Sequence, residues 1–153
     1  MLGPAEAGAW AMLAWCWCVK TVAHHTVPSG IGRDDRGVRS VLVVDDHVEF
    51  RASVRALLVA DGFTVVGEAA TGAEAIRAAG DLVPDIVLLD IRLPDFDGIA
   101  VAAAMAALPV PPEVVLVSSR DRSVYGTRLT QARARGFLAK SDLSGPALRG
   151  LLG

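Results

Sequence analysis

Ile86-Val87-Leu88-Leu89-Asp90, followed by Leu93-Pro94-Asp95-Phe96-Asp97-Gly98, is the stretch that decides the fold. Four consecutive apolar residues bounded by turn formers predict a strand buried on both faces, as inside a parallel sheet. The run ends on a carboxylate. In open α/β sheets ligands gather outside the carboxyl ends of the strands, so Asp90 is expected in a crevice open to solvent. Val41-Leu42-Val43-Val44 is a second run of the same kind and ends on Asp45-Asp46. With these two strands parallel and adjacent, three carboxylates meet at one sheet edge, a concentration of like charge that calls for a cation. A hard divalent ion meets that need, and Mg²⁺ suits a few carboxylates together with water and phosphate. Val114-Val115-Leu116-Val117 ends on Ser118, a hydroxyl donor. Gly136-Phe137-Leu138-Ala139 ends on Lys140, a mobile cation able to meet a phosphate as a point charge.

An acid pair, a single acid, a hydroxyl and a lysine, closing four apolar strands in that order, resemble the receiver domain of two-component response regulators. The flavour is closest to receivers of helix-turn-helix regulators, and the resemblance runs from about Val38 to Leu152. It implies an α/β, flavodoxin-like fold: a doubly wound five-stranded parallel sheet of order 2-1-3-4-5 with helices on both faces. It also implies that Asp90 accepts a phosphoryl group from a histidine kinase or phosphotransfer protein. Asp45, Asp46, Asp90 and the backbone carbonyl of Arg92 would then hold Mg²⁺, and Lys140 would be the cation of the site. Ser118 matches the hydroxyl that turns toward the phosphoryl group, and Phe137 the aromatic switch position. Arg92 and Arg120, each two residues past a site residue, match positions that tune how quickly the acyl phosphate is lost.

The same resemblance places partner binding on the face made by the fourth helix, fifth strand and fifth helix, with a downstream protein unnamed and a homodimer on phosphorylation as one active form. The chain is not expected to be an enzyme beyond its own phosphorylation and dephosphorylation. Ser141 departs from the proline that many receivers carry there, as members linked to helix-turn-helix domains often do. The alternative is a receiver-like docking module that no longer needs phosphorylation. Singly, Asp45 reads as a helix cap, Ser118 as a strand-end hydroxyl, Lys140 as a surface charge and Phe137 as core. Four strand ends in the right order favour the joint reading. A haloacid-dehalogenase-type phosphatase would need an acid where Arg92 stands, and a dinucleotide-binding domain would need glycines where Asp45-Asp46 stands.

Composition sets bounds on the rest. The 153 residues have room for one domain with a sizeable core, and 15 Lys+Arg against 17 Asp+Glu give a net charge of −2. That balance argues against direct nucleic-acid binding, and 5% aromatic residues argue against base-stacking platforms. Residues 1–38 differ from the receiver region 39–153. Their apolar run Ala5 to Val19 contains Glu6, is short for a membrane span and lacks the basic start of a secretory signal. This segment reads as a poorly ordered extension or an upstream start, with a membrane-surface or partner-binding helix as the other reading. Cys16, Cys18, His24 and His25 match no common zinc spacing, and a reducing, cytoplasmic setting is expected. Few residues follow the last helix, so a stand-alone receiver or a fragment of a longer regulator is expected.

Helices are expected after each strand. Asp46 to Glu49 looks like a capping box ahead of the stripe Phe50, Val54, Leu57 and Leu58, with Arg51 and Arg55 on a solvated face. Thr71 to Glu74 repeats the arrangement. Further helices are expected over Ile99 to Leu108, over Ser123 to Arg135 with Val124, Tyr125, Leu129 and Ala132 inward, and over Asp142 to Leu152.

Overall fold

The computed structural model describes residues 37–153. The apolar run Ala5 to Val19 and the residues Cys16, Cys18, His24 and His25 lie outside the described residues. Continuous apolar runs underlie four of five short strands, and Val65-Val66 the other: β1 (Ser40–Val44), β2 (Thr64–Ala69), β3 (Ile86–Asp90), β4 (Glu113–Ser118) and β5 (Gly136–Ala139). They pair in parallel in the order β2-β1-β3-β4-β5, as expected. Helices α1 (Val48–Ala60), α2 (Gly72–Leu82), α3 (Gly98–Ala106), α4 (Thr127–Gln131) and α5 (Gly145–Leu152) connect and follow them.

Alternation along each strand sorts the core into two layers. Leu42, Val44, Val87, Leu89, Val114 and Leu116 point to one face, against Ala75 and Ala79 of α2 and Val101, Ala102 and Met105 of α3. Val41, Val43, Ile86, Leu88, Val115 and Val117 point to the other, against Val54 and Leu58 of α1 and Leu148 and Leu152 of α5. Both faces of β3 are therefore covered, and all five of its residues are buried. This is why its sequence shows no polar alternation.

Three local expectations need correction. The segment Ser123 to Arg135 is not one helix: a 3₁₀ turn over Arg122–Val124 is followed by Gly126 at φ 51° and a five-residue α4. The positive φ at Gly126 interrupts the helical path between the two pieces. Tyr125, Leu129 and Ala132 still face the core, but Val124 is exposed. Secondly, Asp46 does not cap α1, whose N-cap is His47 with no side-chain cap. Asp46 instead lies against the His47 ring. Thirdly, α5 begins at Gly145, capped by the Ser144 side chain, and Lys140–Asp142 forms a 3₁₀ turn. The second capping box forms as expected, with Thr71 Oγ1 accepting from the Glu74 amide and Glu74 reaching back to the Ala70 amide.

Candidate functional site

Strand register positions the site before any side chain is considered. Val44 pairs with Leu89, so Asp45 and Asp90 emerge level with each other. Asp90 pairs with Val117, Ser118 pairs with Ala139, and Lys140 follows directly. Parallel pairing thus stacks the four strand ends on one edge of the sheet. An open crevice of about 410 Å³ lies there, lined by Asp46, His47, Asp90, Arg92, Leu93, Pro94, Ser118, Ser119 and Lys140.

Its floor is charged and almost dry. Asp45 is 0%, Asp90 4% and Ser118 1% exposed. Lys140 Nζ spans the two acids, donating to Asp45 Oδ2 and to Asp90 Oδ2, the latter at 3.2 Å. The ammonium also lies 4.3 Å from the centre of the Phe50 ring, whose face favours a cation. Asp90 Oδ1 accepts the Arg92 amide at 3.0 Å. Asp45 Oδ1 accepts the His47 amide at 2.8 Å, and Arg51 Nη1 donates to the Asp45 carbonyl at 2.6 Å. Arg51 is therefore half-buried beside the site and not on a solvated face, whereas Arg55 is exposed near Glu68.

The two buried acids are not equivalent. Burial pushes the Asp45 carboxyl up, but the Lys140 hydrogen bond, the His47 amide and the Lys140 charge more than reverse this and hold it below its ordinary value. At Asp90 burial prevails over the Arg92 amide and Lys140, with the Asp45 charge adding to it, so that carboxyl is raised. Burial draws Lys140 down, yet its bonds and charge attraction to both acids outweigh burial and raise it. The two acids thus share Lys140 as their counter-charge, with Asp45 held below and Asp90 above the ordinary carboxyl value.

Asp45, Asp46, His47 and Asp90 each offer a donor atom, all within 4.8 Å of one another. Hard carboxylate oxygens at this spacing fit a divalent ion such as Mg²⁺. His47 was not anticipated from sequence, although it directly follows the acid pair; its Nδ1 lies 3.1 Å from Asp45 Oδ1 and 2.9 Å from Asp46 Oδ1. Ser118 shares a 2.6 Å hydrogen bond with the Tyr125 hydroxyl and accepts the Arg120 amide at 3.1 Å. From its helical spacing alone Tyr125 reads as core, and its hydroxyl bond to Ser118 is visible only in the structure. Arg92 lines the crevice, while Arg120 is exposed and reaches Ser118 through its backbone. Phe137 is half-buried in β5, 6.1 Å from Tyr125 between ring centres.

The loop after β3 roofs the crevice and is tied down on three sides. An antiparallel bridge joins Arg92 to Asp97. The Asp95 carboxylate accepts the amides of Gly72 and Ala73 at the start of α2, at 2.7 and 3.0 Å. Asp97 caps α3 through the Ile99 amide and pairs with Arg128 of α4. No helix among the described residues is long and apolar enough to cross a membrane.

Comparison with known proteins agrees with this geometry. The family model of the response regulator receiver domain matches residues 41–145. Among curated proteins, the chain is 42% identical over 103 residues to the transcriptional regulatory protein NarL of Mycobacterium tuberculosis, covering 67% of this chain and 48% of that one. It is 34% identical over 102 residues to the positive transcription regulator BvgA of Bordetella pertussis, covering 67% and 49%. The chain spans about half the length of the curated relatives it matches. Among solved structures, the receiver domain of M. tuberculosis NarL aligns with a TM-score of 0.67 and 37% identity, over 76% of this chain and 98% of that one. The CheX–CheY–BeF₃–Mg²⁺ complex of Borrelia burgdorferi aligns with a TM-score of 0.65 and 26% identity, over 77% and 90%.

Proposed function

The chain belongs to the response regulator receiver domain family, and from that premise we propose that it is a phosphoacceptor in a two-component phosphorelay, phosphorylated on Asp90 by a histidine kinase or phosphotransfer protein. One observation carries the reading: Lys140 bridges the buried Asp45 and Asp90 at the floor of a crevice that Ser118 also lines. An Asp90 carboxylate oxygen attacks phosphorus as the bond from phosphorus to the donor's imidazole nitrogen breaks, and the departing histidine takes up a proton. Lys140, already between the two acids, moves onto a phosphoryl oxygen, and Ser118 donates its hydroxyl proton to another. Bound Mg²⁺, held by Asp45, Asp46, Asp90 and the Arg92 carbonyl, would neutralise charge on the transferring group. The solved CheY complex with BeF₃ and Mg²⁺ supports this by likeness.

Once made, the acyl phosphate adds a dianion to the crevice, and withdrawal of Ser118 gives Phe137 room to turn inward, shifting the face around β5 that a partner reads. The chain acts in the cytoplasm and catalyses only its own gain and loss of phosphate. The relatives are transcription regulators by name, which supports a role in signalling to an as yet unidentified downstream protein. Arg92 and Arg120 set the lifetime of the adduct.

Acetyl phosphate with Mg²⁺ followed by intact-mass measurement tests the proposal. A single phosphoryl adduct is expected, absent from Asp90→Asn and shed at a different rate in Arg120→Ala. An unmodified mass, or an adduct that persists in Asp90→Asn, would overturn the phosphoacceptor assignment; equal decay in Arg120→Ala would remove only the tuning role.

A further inference from the structure

We propose that Tyr125 is a positioning residue that holds the Ser118 hydroxyl in the unphosphorylated arrangement and competes with a phosphoryl oxygen for it. The inference rests on the phosphoacceptor reading above. Ser118 is 1% and Tyr125 7% exposed, and their oxygens are 2.6 Å apart. Tyr125 belongs to the core layer of Leu89, Val114 and Leu116, whereas Ser118 also lines the crevice with Asp90 and Lys140. The serine therefore stands between two claimants, a phenol on the core side and a phosphoryl group on the crevice side.

A serine hydroxyl carries one proton and rotates about its Cα–Cβ bond. Turning it into the crevice to meet a phosphoryl oxygen gives up the short bond to Tyr125. Phe137 has no polar atom with which to hold Ser118, so the hydrogen-bonding half of the switch falls to Tyr125, whose ring lies 6.1 Å away and tilted by 53°. A buried phenol that loses its partner is an unfavourable state. Its relief is movement of the ring toward solvent, where its chain neighbour Val124 already stands 57% exposed. Release of Ser118 is thereby transmitted to the turn between β4 and α4.

The chain contains one tyrosine, so fluorotyrosine places a single aromatic fluorine at this position. Beryllofluoride with Mg²⁺, used as the phosphoryl mimic, brings fluorines of its own, and one fluorine NMR spectrum of the full chain reads both. In the unliganded protein Ser118→Ala is expected to shift the aromatic line. Beryllofluoride is expected to shift that line in the parent sequence and to leave it in place in Ser118→Ala. Tyr125→Phe, which keeps the ring, is expected to bind beryllofluoride roughly fivefold more tightly, the equivalent of one net hydrogen bond removed from the unliganded state. Bound-fluoride lines with an unmoved aromatic line, or equal or weaker binding by Tyr125→Phe, overturn the role of Tyr125 and leave the phosphoacceptor reading standing. Absence of bound-fluoride lines in the parent sequence removes that reading and the Tyr125 role together.

Discussion

Lys140 is a single residue on which two buried acids depend. With Asp45 fully buried and Asp90 nearly so, its removal leaves two carboxylates facing each other without a counter-charge. Lys140→Met keeps the packing over Phe50 but not the charge, and breaking a buried pair in this way costs about 3 kcal/mol. Denaturant midpoints measured in chelator should fall accordingly, and added Mg²⁺ should recover part of the loss. Asp95 supports a different expectation. Slight desolvation works upward on its carboxyl, but the amides of Ala73, Gly72, Asp95 itself and Phe96 outweigh it and depress the value. A carboxyl depressed in the folded state stabilises fully above its unfolded pKa, and that contribution disappears as pH falls through the lower, folded one. The gap in melting temperature between the parent and Asp95→Asn should therefore be widest near neutrality and close with acidification; a gap independent of pH would show that the helix tie is not ionic.

Among the elements, the turn from β3 into α3 is the most constrained. A Cβ on Gly98 would lie 2.3 Å from the Asp90 carbonyl oxygen and 2.7 Å from Ile91 Cα, both backbone atoms. Neither can yield without displacing the strand end that carries Asp90. Gly98→Ala should cost about 1–3 kcal/mol by overpacking and slow adduct formation on Asp90; thermal melting and adduct yield together measure this. The sequence announced most of this level, because four apolar runs read as strands of a covered parallel sheet and Asp45, Asp90, Ser118 and Lys140 each stood at a run's end, whereas β2, with Gly67 and Glu68 inside it, carries no such run. What it hid had local causes. Tyr125, Leu129 and Ala132 recur at helical spacing and do face the core, but Gly126 between them adopts a positive φ that no periodicity reveals. Asp46 had the spacing of a cap, yet the neighbouring imidazole lies against it instead. The Ser118–Tyr125 bond joins residues seven apart through a turn of irregular shape, and only coordinates could reveal it.

At the level of the whole molecule, the donor set Asp45, Asp46, His47 and Asp90 draws on β1, the start of α1 and β3, so an ion bound there fastens segments far apart in sequence. Binding to the folded form alone stabilises it by mass action. The melting temperature should rise with the logarithm of Mg²⁺ concentration once the site begins to fill, and Asp46→Ala should flatten that rise; an identical response in the variant would place the ion elsewhere. The family and the fold follow from the sheet order and the comparisons together. The residues of the crevice are then explained by which strand each one ends.

The rung-by-rung stacking of these ends has a last consequence. Asp45 is still stitched to β2 through the Ala69 carbonyl, and Ile91 to β4 through that of Val117. No hinge separates the reactive corner from the central strands, so the chemistry and the architecture fail together. A lesion anywhere along β1, β3 or β4 that slips the pairing by one place should abolish phosphoryl adduct formation as fully as Asp90→Asn does, with every crevice side chain still present.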